Sequence, residues 1–406
     1  MLPLEQPSFA HFLTAYTLHD PDTGAVLNPQ DPNYSVHVSH WDYSGFTIDP
    51  VSGDIVRTGG GHSATPSGYV SRCLASTQYS KWFRDYAPVP LATMKEVEQV
   101  PAPIAGETWT DAAGKHWRSP NLEPFTKLWN APGYRKSCLS IHAYDLFRHS
   151  SLLDKFVYFR DQGQAYAVDL GIAYKCTLNG TFSTYDRDGV WQGVPKVDTG
   201  SGGCCELPNG FFAFFNTKWT VVDPRTMTRV YTVTPKAAHW TGGVQGVGLG
   251  SYGALTRDPE YGDLISVSNA GIALAVAFDP VTYVPRLTQL NRTPPTGIKV
   301  KSTAYDTRNG HLFCGVTNST AYALKRTGPD SAEWLSKPTP SILTGTTWGM
   351  EYIAPLNVCL FTAKGPGGNG LWAVRWDSPD TTPPETLLAA DVNGTTATLT
   401  FSGSDA

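Results

Sequence analysis

The stretch TGGGHSATPSGY, Thr58 to Tyr69, sets three consecutive glycines beside a histidine and ends in a Pro-Ser-Gly turn. Glycines so placed could cradle a phosphate, but a phosphate loop needs a Gly-Lys-Ser/Thr after them, and none follows. His62 could ligate a metal together with His37, His40 and His142. On a strand, the three-residue spacing of His37 and His40 sends the two rings to opposite faces, and no carboxylate or thiol stands at a ligand interval. No metal or other cofactor is therefore expected. Paired acids, the requirement of glycoside hydrolysis, occur in RDPEYGD and YDRDG, yet both read as turns between strands. There is no GxSxG nucleophile elbow.

Seven cysteines, Cys73, Cys138, Cys176, Cys204, Cys205, Cys314 and Cys359, are widely spread and form no CxxC pair. This reads as buried free thiols in a chain folded under reducing conditions. Adjacent Cys204 and Cys205 point to opposite faces of a strand and make poor co-ligands.

The residues with recognition chemistry are aromatic rings and histidines in polar loops: His40 and Trp41, His62, His239 and Trp240, and Trp348, near the loops DQGQ, NTK and GPGGNG. Flat aromatic faces stack on the apolar face of a pyranose while neighbouring side chains bond its hydroxyls. These six are the expected ligand-binding residues; packing in a core is the competing use of the same rings.

Elements able to gather such loops are written as a repeat. FTIDPVSGDIVRTGGG, GALTRDPEYGDLISVSNAGIALAVAFDPVTY, STAYDTRNGHLFCGVTNSTAYALKRT and MEYIAPLNVCLFTAKGPGGNGLWAVRWD each run strand, Asp/Pro/Gly turn, strand, and then further strand. Two weaker copies start at Leu139 and Cys204. The turn residues Gly210, Gly262, Gly310 and Asn357 fall roughly 50 residues apart, the spacing of propeller blades. The repeat predicts an all-β fold, a β-propeller of six or seven blades, the seventh being the hairpin-like GETWTDAAGKHWRS. Composition agrees: 39 Gly, 31 Pro, 12% aromatic and only 16% charged residues suit short strands and turns.

The units resemble kelch-like repeats, in which a glycine pair ends the second strand and an aromatic lies in the fourth, as Gly59, Gly60 and Gly61 do with Trp82. The resemblance spans Ser39 to Asp377 and implies architecture alone, since propellers host unrelated functions. Copper-radical oxidases share such a propeller, but no local motif here pairs the tyrosine, cysteine and histidines which that chemistry needs.

The expected organisation is an N-terminal segment 1–38, a propeller 39–377 with an insertion near 87–130, a Pro/Thr linker 378–385 and a partial hairpin 386–406. That hairpin, LLAADVNGTTATLTFS, turns at Asn393-Gly394 and resembles the start of a bacterial immunoglobulin-like module. A formal net charge of -4 with no basic run argues against nucleic acid, and no window is apolar enough to span a bilayer. The start of the chain lacks a basic and apolar leader pattern. Together these features predict a non-catalytic bacteriophage virion protein, a tail fibre, spike or tip component. Its expected partners are other virion proteins, a second copy of itself, and a host surface polysaccharide or protein. A glycan-active enzyme and a bacterial surface adhesin are the alternatives.

Overall fold

Short turns opened by aspartate set the framework. Asp49 Oδ1 accepts the Val51 N–H at 3.0 Å, Asp258 Oδ1 that of Glu260 at 2.9 Å, and Asp306 Oδ1 that of Arg308 at 3.1 Å. Asp223 and Asp279 repeat the device towards Arg225 and Val281, both at 2.9 Å. An aspartate that bonds the backbone two residues on holds a tight turn by itself. Gly53 and Gly262 close two of these turns at φ 77° and 74°, a region that costs a side-chain-bearing residue strain. Gly210, Gly310 and Asn357, the other turn residues named from sequence, also have positive φ.

The computed structural model describes residues 8–11, 18–27, 45–58, 70–77, 81–85, 89–94, 96–105, 107–123, 126, 128–138, 144–159, 164–167, 174–177, 182–194, 203–241, 253–291, 293–339, 343, 345–365 and 368–376. These residues are all-β with almost no helix, and the sheets are antiparallel in a manner consistent with a β-propeller. Sheet I pairs Phe46–Ile48, Ile55–Arg57, Ser71–Cys73 and Trp82–Arg84, with Leu18–His19 added in parallel at the outer edge. Sheet II pairs Phe147–Ser150, Lys155–Phe159, Phe182–Tyr185 and Trp191–Val194. Sheet III holds Gly203–Glu206, Phe212–Phe215, Trp219–Asp223 and Thr228–Val233. Sheet IV holds Ala254–Arg257, Leu264–Val267, Ala273–Phe278 and Pro285–Gln289.

Sheet V is Ala304–Asp306, His311–Thr317, Thr320–Gly328 and Ser331–Pro338. Sheet VI takes Gly345–Ile353, Val358–Gly365 and Gly368–Arg375 from the far end of the repeat region, and its fourth strand from the start of the chain. Ser8–His11 runs antiparallel to Gly368–Arg375, with Ser8 opposite Arg375 and His11 opposite Trp372. A single bridge, Thr317 to Gly345, joins sheets V and VI.

Hydrophobic burial holds the sheets side by side. Their middle strands are apolar on both faces, as in Phe212–Phe215 and Leu264–Val267, where every residue is buried. Each seam between sequential sheets has its own apolar cluster. Phe159 and Phe182 meet Phe212 and Phe214 between II and III; Trp219 and Val221 meet Leu264 and Leu274 between III and IV. Ile265 and Val267 meet Leu312 and Cys314 between IV and V; Phe313 meets Phe361 and Trp372 between V and VI; Phe46 and Trp82 meet Leu360 and Leu371 between VI and I. Truncating one of these rings to alanine costs about 3–5 kcal/mol.

The first strands pack against one another in sequence. Those of I and II, III and IV, IV and V, V and VI, and VI and I are in contact, and the Cys204 thiol on III bonds the Asp145 carbonyl of II at 3.3 Å. The hairpin-like GETWTDAAGKHWRS does form a hairpin, Thr108–Thr110 with His116–Arg118, in a separate three-stranded sheet with Glu98–Val100. Val89, Met94, Leu128 and Trp129 around it bury against Val56, Phe147 and Trp191, covering the seam between sheets I and II.

Candidate functional site

Because each sheet is an antiparallel meander, the connections within strand pairs one-two and three-four fall on one edge. The remaining connections fall on the other. The first edge is the turn side, and the second is the loop side.

Counted back from the turns that follow them, Thr47, Arg148, Cys205, Thr256, Ala304 and Glu351 occupy equivalent positions in the first strands of sheets I to VI. Arg148 reaches beyond its own strand. Its Nη2 lies 2.5 Å from Asp145 Oδ1 and its Nη1 3.3 Å from Glu351 Oε1, while Nε donates to the Cys204 carbonyl at 3.4 Å. One guanidinium therefore serves two carboxylates and ties the first strands of sheets II, III and VI together.

Burial divides the two acids. Asp145 has no exposed side-chain surface, and desolvation raises its pKa although Arg148 and Ser302 favour the anion. Glu351 keeps 26% of its side chain exposed. Desolvation outweighs Arg148 there as well, Asp145 adds repulsion, and the carboxyl is raised to about 7, within reach of proton exchange at neutral pH. Burial likewise pushes the Cys205 thiol up to about 12, which makes it a poor nucleophile. Around these positions the strands approach closely. A Cβ on Gly203 would collide with the Leu255 backbone nitrogen, and one on Gly349, at φ 104°, would stand 2.7 Å from a Phe46 ring carbon.

On the turn side the adjacent sheets are laced by ions. Asp49 of sheet I meets Arg187 of sheet II, which also binds Asp154 at 2.6 Å. Burial would raise the Asp49 pKa, but the bonds from Arg187, the Val51 N–H and Arg72 outweigh it and hold the carboxyl at about 2. Arg72 continues the network to Asp85 at 2.8 Å, and the Tyr185 hydroxyl donates to the same carboxylate at 2.7 Å. Between sheets V and IV, Arg326 binds Asp263 at 2.6 Å and Asp258 at 3.3 Å and lies over the Tyr261 ring.

Of the six residues proposed from sequence for ligand contact, His40, Trp41 and His62 lie outside the described residues, as do Gly59 to Gly61 and the segment from Asp377 onward. His239 ends a short 3-10 turn, Ala237–His239, and its Nδ1 accepts the Lys236 N–H at 2.9 Å. Trp240 follows it, half-buried against the seam between sheets III and IV. Both belong to the connection from sheet III to sheet IV, on the loop side. Trp348 is 3% exposed within the first strand of sheet VI and packs edge-on against Tyr144 at 4.9 Å, so as placed its ring serves the core. RDPEYGD and YDRDG are turns, the first between strands one and two of sheet IV and the second between strands three and four of sheet II. Among the described residues no group of three or more His, Cys, Asp or Glu could hold a metal ion, and no helix is long and apolar enough to cross a membrane.

Asp145, Arg148 and Glu351 were not singled out from sequence. No family profile matches the chain, and no curated protein matches it. Solved structures do. The β-propeller domain of Cps50 (Swd1) from Myceliophteria thermophila shares 11% identity at a TM-score of 0.44, covering 82% of this chain and 96% of that one. A catalytically inactive virginiamycin B lyase from Staphylococcus aureus, with quinupristin, shares 10% at 0.44, covering 91% and 99%. A gluconolactonase from Xanthomonas campestris shares 10% at 0.43, covering 83% and 86%. Likenesses of this size carry no argument about what the chain does.

Proposed function

We propose that this protein is a non-catalytic recognition or structural component of a bacteriophage-like particle, a tail fibre, spike or tip protein. In this reading sheets I to VI are the blades of a six-bladed, kelch-like propeller whose loop side faces a host surface glycan or protein. Residues 378–406 connect it to neighbouring virion proteins or to a second copy. Neither nucleic acid nor membrane insertion has a part in it.

The observation that carries the reading is the one-sided elaboration of the ring. Most turn-side connections are short, as in 49–54, 151–154, 186–190, 258–263 and 307–310, and the longest in sheets I to V, 74–81, has eight residues. Loop-side connections include 58–70, 85–146, 234–253 and 160–181, the last carrying the hairpin Gln164–Ala167 with Tyr174–Thr177. A rigid scaffold with long loops on one side is how surfaces for recognition are built. Weak contacts of this kind become effective when several copies sit on one particle.

Adsorption competition tests the reading: purified chain is added to candidate host cells before challenge with phage, with direct cell binding scored in parallel. Saturable binding that blocks adsorption is expected, and replacing Trp41 or Trp240 with alanine should weaken it while the protein stays folded. A folded protein that neither binds nor competes sinks host recognition and points to a connector role. A glycan-active enzyme has one observation in its favour, the half-buried Glu351 carboxyl beside Asp145. That alternative requires polysaccharide turnover abolished by Glu351→Gln, whereas recognition requires binding without product.

A further inference from the structure

The small sheet of Glu98–Val100, His116–Arg118 and Thr108–Thr110 belongs to the loop-side connection 85–146 and to none of sheets I to VI. Its register puts Gln99 opposite Trp117, and Trp117 opposite Trp109. Directly opposed residues share a face with their Cβ atoms about 5 Å apart, so an amide and two indoles form one row across the three strands. The row runs from core to solvent. Trp109 packs on the cluster containing Leu122, Leu128 and Trp129, Trp117 is half-buried, and Gln99 is exposed.

Polar groups border this row. Asp111, just past the strand that carries Trp109, accepts the Trp117 indole N–H on Oδ2 at 2.9 Å and the Ala113 and Lys115 N–H groups on Oδ1, both at 2.9 Å. Among the described residues Oδ2 has no other donor, so a lone pair is left to accept a hydroxyl proton, and the Gln99 amide offers both a donor and an acceptor. Arg118 lies on the opposite face, held by Glu98 and, at 3.4 Å, by Glu107. Beside the row, Lys115 offsets the charge of Asp111, so neither an acidic nor a basic sugar finds an unmatched counter-charge there.

We propose that Trp117, flanked by Gln99 and Asp111, is a subsite for a neutral pyranoside. The exposed part of the indole takes the apolar face of the sugar, while the amide and the carboxylate bond its hydroxyls. The subsite rests on the recognition reading of the loop side and narrows it to one face and one class of sugar.

Native affinity electrophoresis of the full chain, in gels carrying dextran, mannan or galactan and with polygalacturonate as the acidic comparison, tests this without cells. At least one neutral polymer should retard the chain, and polygalacturonate should not. Trp117→Ala should weaken the interaction by about tenfold or more. Gln99→Ala, at an exposed position whose change leaves both rings in place, should weaken it by about threefold through the loss of one hydrogen bond. Arg118→Gln, on the opposite face, should leave it unchanged. Gln99→Ala decides the matter even if Trp117→Ala does not fold. Retardation by no neutral polymer, equal retardation by polygalacturonate, or unaltered migration of Gln99→Ala would each overturn the subsite. A chain that fails here yet binds host cells and blocks adsorption keeps the recognition reading and loses only the subsite; one that is retarded here yet inert towards cells does the reverse.

Discussion

Arg187 grips Asp49 by both carboxylate oxygens, with Nε at 3.2 and 3.3 Å and Nη2 at 3.1 Å. It thereby fastens a turn of sheet II to a turn of sheet I. Asp49 is 1% exposed and its partner is half-buried, so the pair is shielded from solvent where it matters.

Asp49→Asn should therefore destabilise the protein by about 2–3 kcal/mol at pH 7, since it removes one partner of a largely buried pair. The effect is read from the midpoint of urea unfolding. The folded carboxyl sits at about 2, below its ordinary value of 3.8. Its stabilisation is therefore complete above the unfolded pKa and is lost as pH falls towards 2. An unchanged midpoint for Asp49→Asn at pH 7 and at pH 3 would show that the pair contributes nothing.

Glu351 acts in the opposite direction and in another window. Its folded pKa, about 7, lies above the ordinary 4.5, so the folded protein holds a proton that the unfolded chain releases. Stability from this group is highest below 4.5 and declines as pH rises through 7, by about 2 kcal/mol once its partial exposure is allowed for. Glu351→Gln should flatten the stability profile between pH 5 and 8. A profile as steep as that of the unaltered protein would place the titrating group elsewhere.

Deleting residues 1–11 removes the fourth strand of sheet VI and leaves the Gly368–Arg375 edge unpaired. The shortened chain should melt several degrees lower and expose Gly368–Arg375 amides to hydrogen exchange. If those amides exchange as slowly as before, the strand does not seal that edge.

Gly203→Ala places a methyl against the Leu255 backbone, which has no flexible end to move aside. A loss of about 2 kcal/mol or more is expected, with the seam between sheets III and IV the first to open. Gly262→Ala, at a turn where nothing lies within 4 Å, tests φ strain alone and should cost less, about 1 kcal/mol. Equal losses in the two variants would remove the argument for close strand approach.

How far the fold was legible depends on which residues wrote it. Asp49 and Asp258 each precede a proline and Asp306 stands four residues before Gly310, and turn chemistry is local, so those turns could be read directly. So could the apolar runs between them, because strands covered on both faces repeat without a polar break. The axial triad was hidden for the reverse reason. Asp145 and Arg148 sit in HAYDLFRHS and Glu351 in WGMEYIA, roughly 200 residues away, and nothing local marks them as partners. The available signal was a charge within a first strand, Arg148 in Phe147–Ser150 and Glu351 in Gly345–Ile353, and it becomes meaningful only once first strands are known to pack together. Trp348 misled because a tryptophan near polar loops looks the same in sequence whether its ring faces solvent or, as here, Tyr144.

The strand Ser8–His11 closes the last sheet with a segment that precedes every other strand of sheets I to VI in the sequence. Sheets II to V are meanders of neighbouring segments and can form as they are made. Sheet VI must wait for Arg375, with more than 350 residues intervening between its partners. A contact of that separation is slow to form, because the chain must surrender its longest loop at once. Folding should therefore end in a single late phase in which a nearly finished arc snaps shut, and a circular permutant cut within 195–202, which makes that pairing local, should lose the phase.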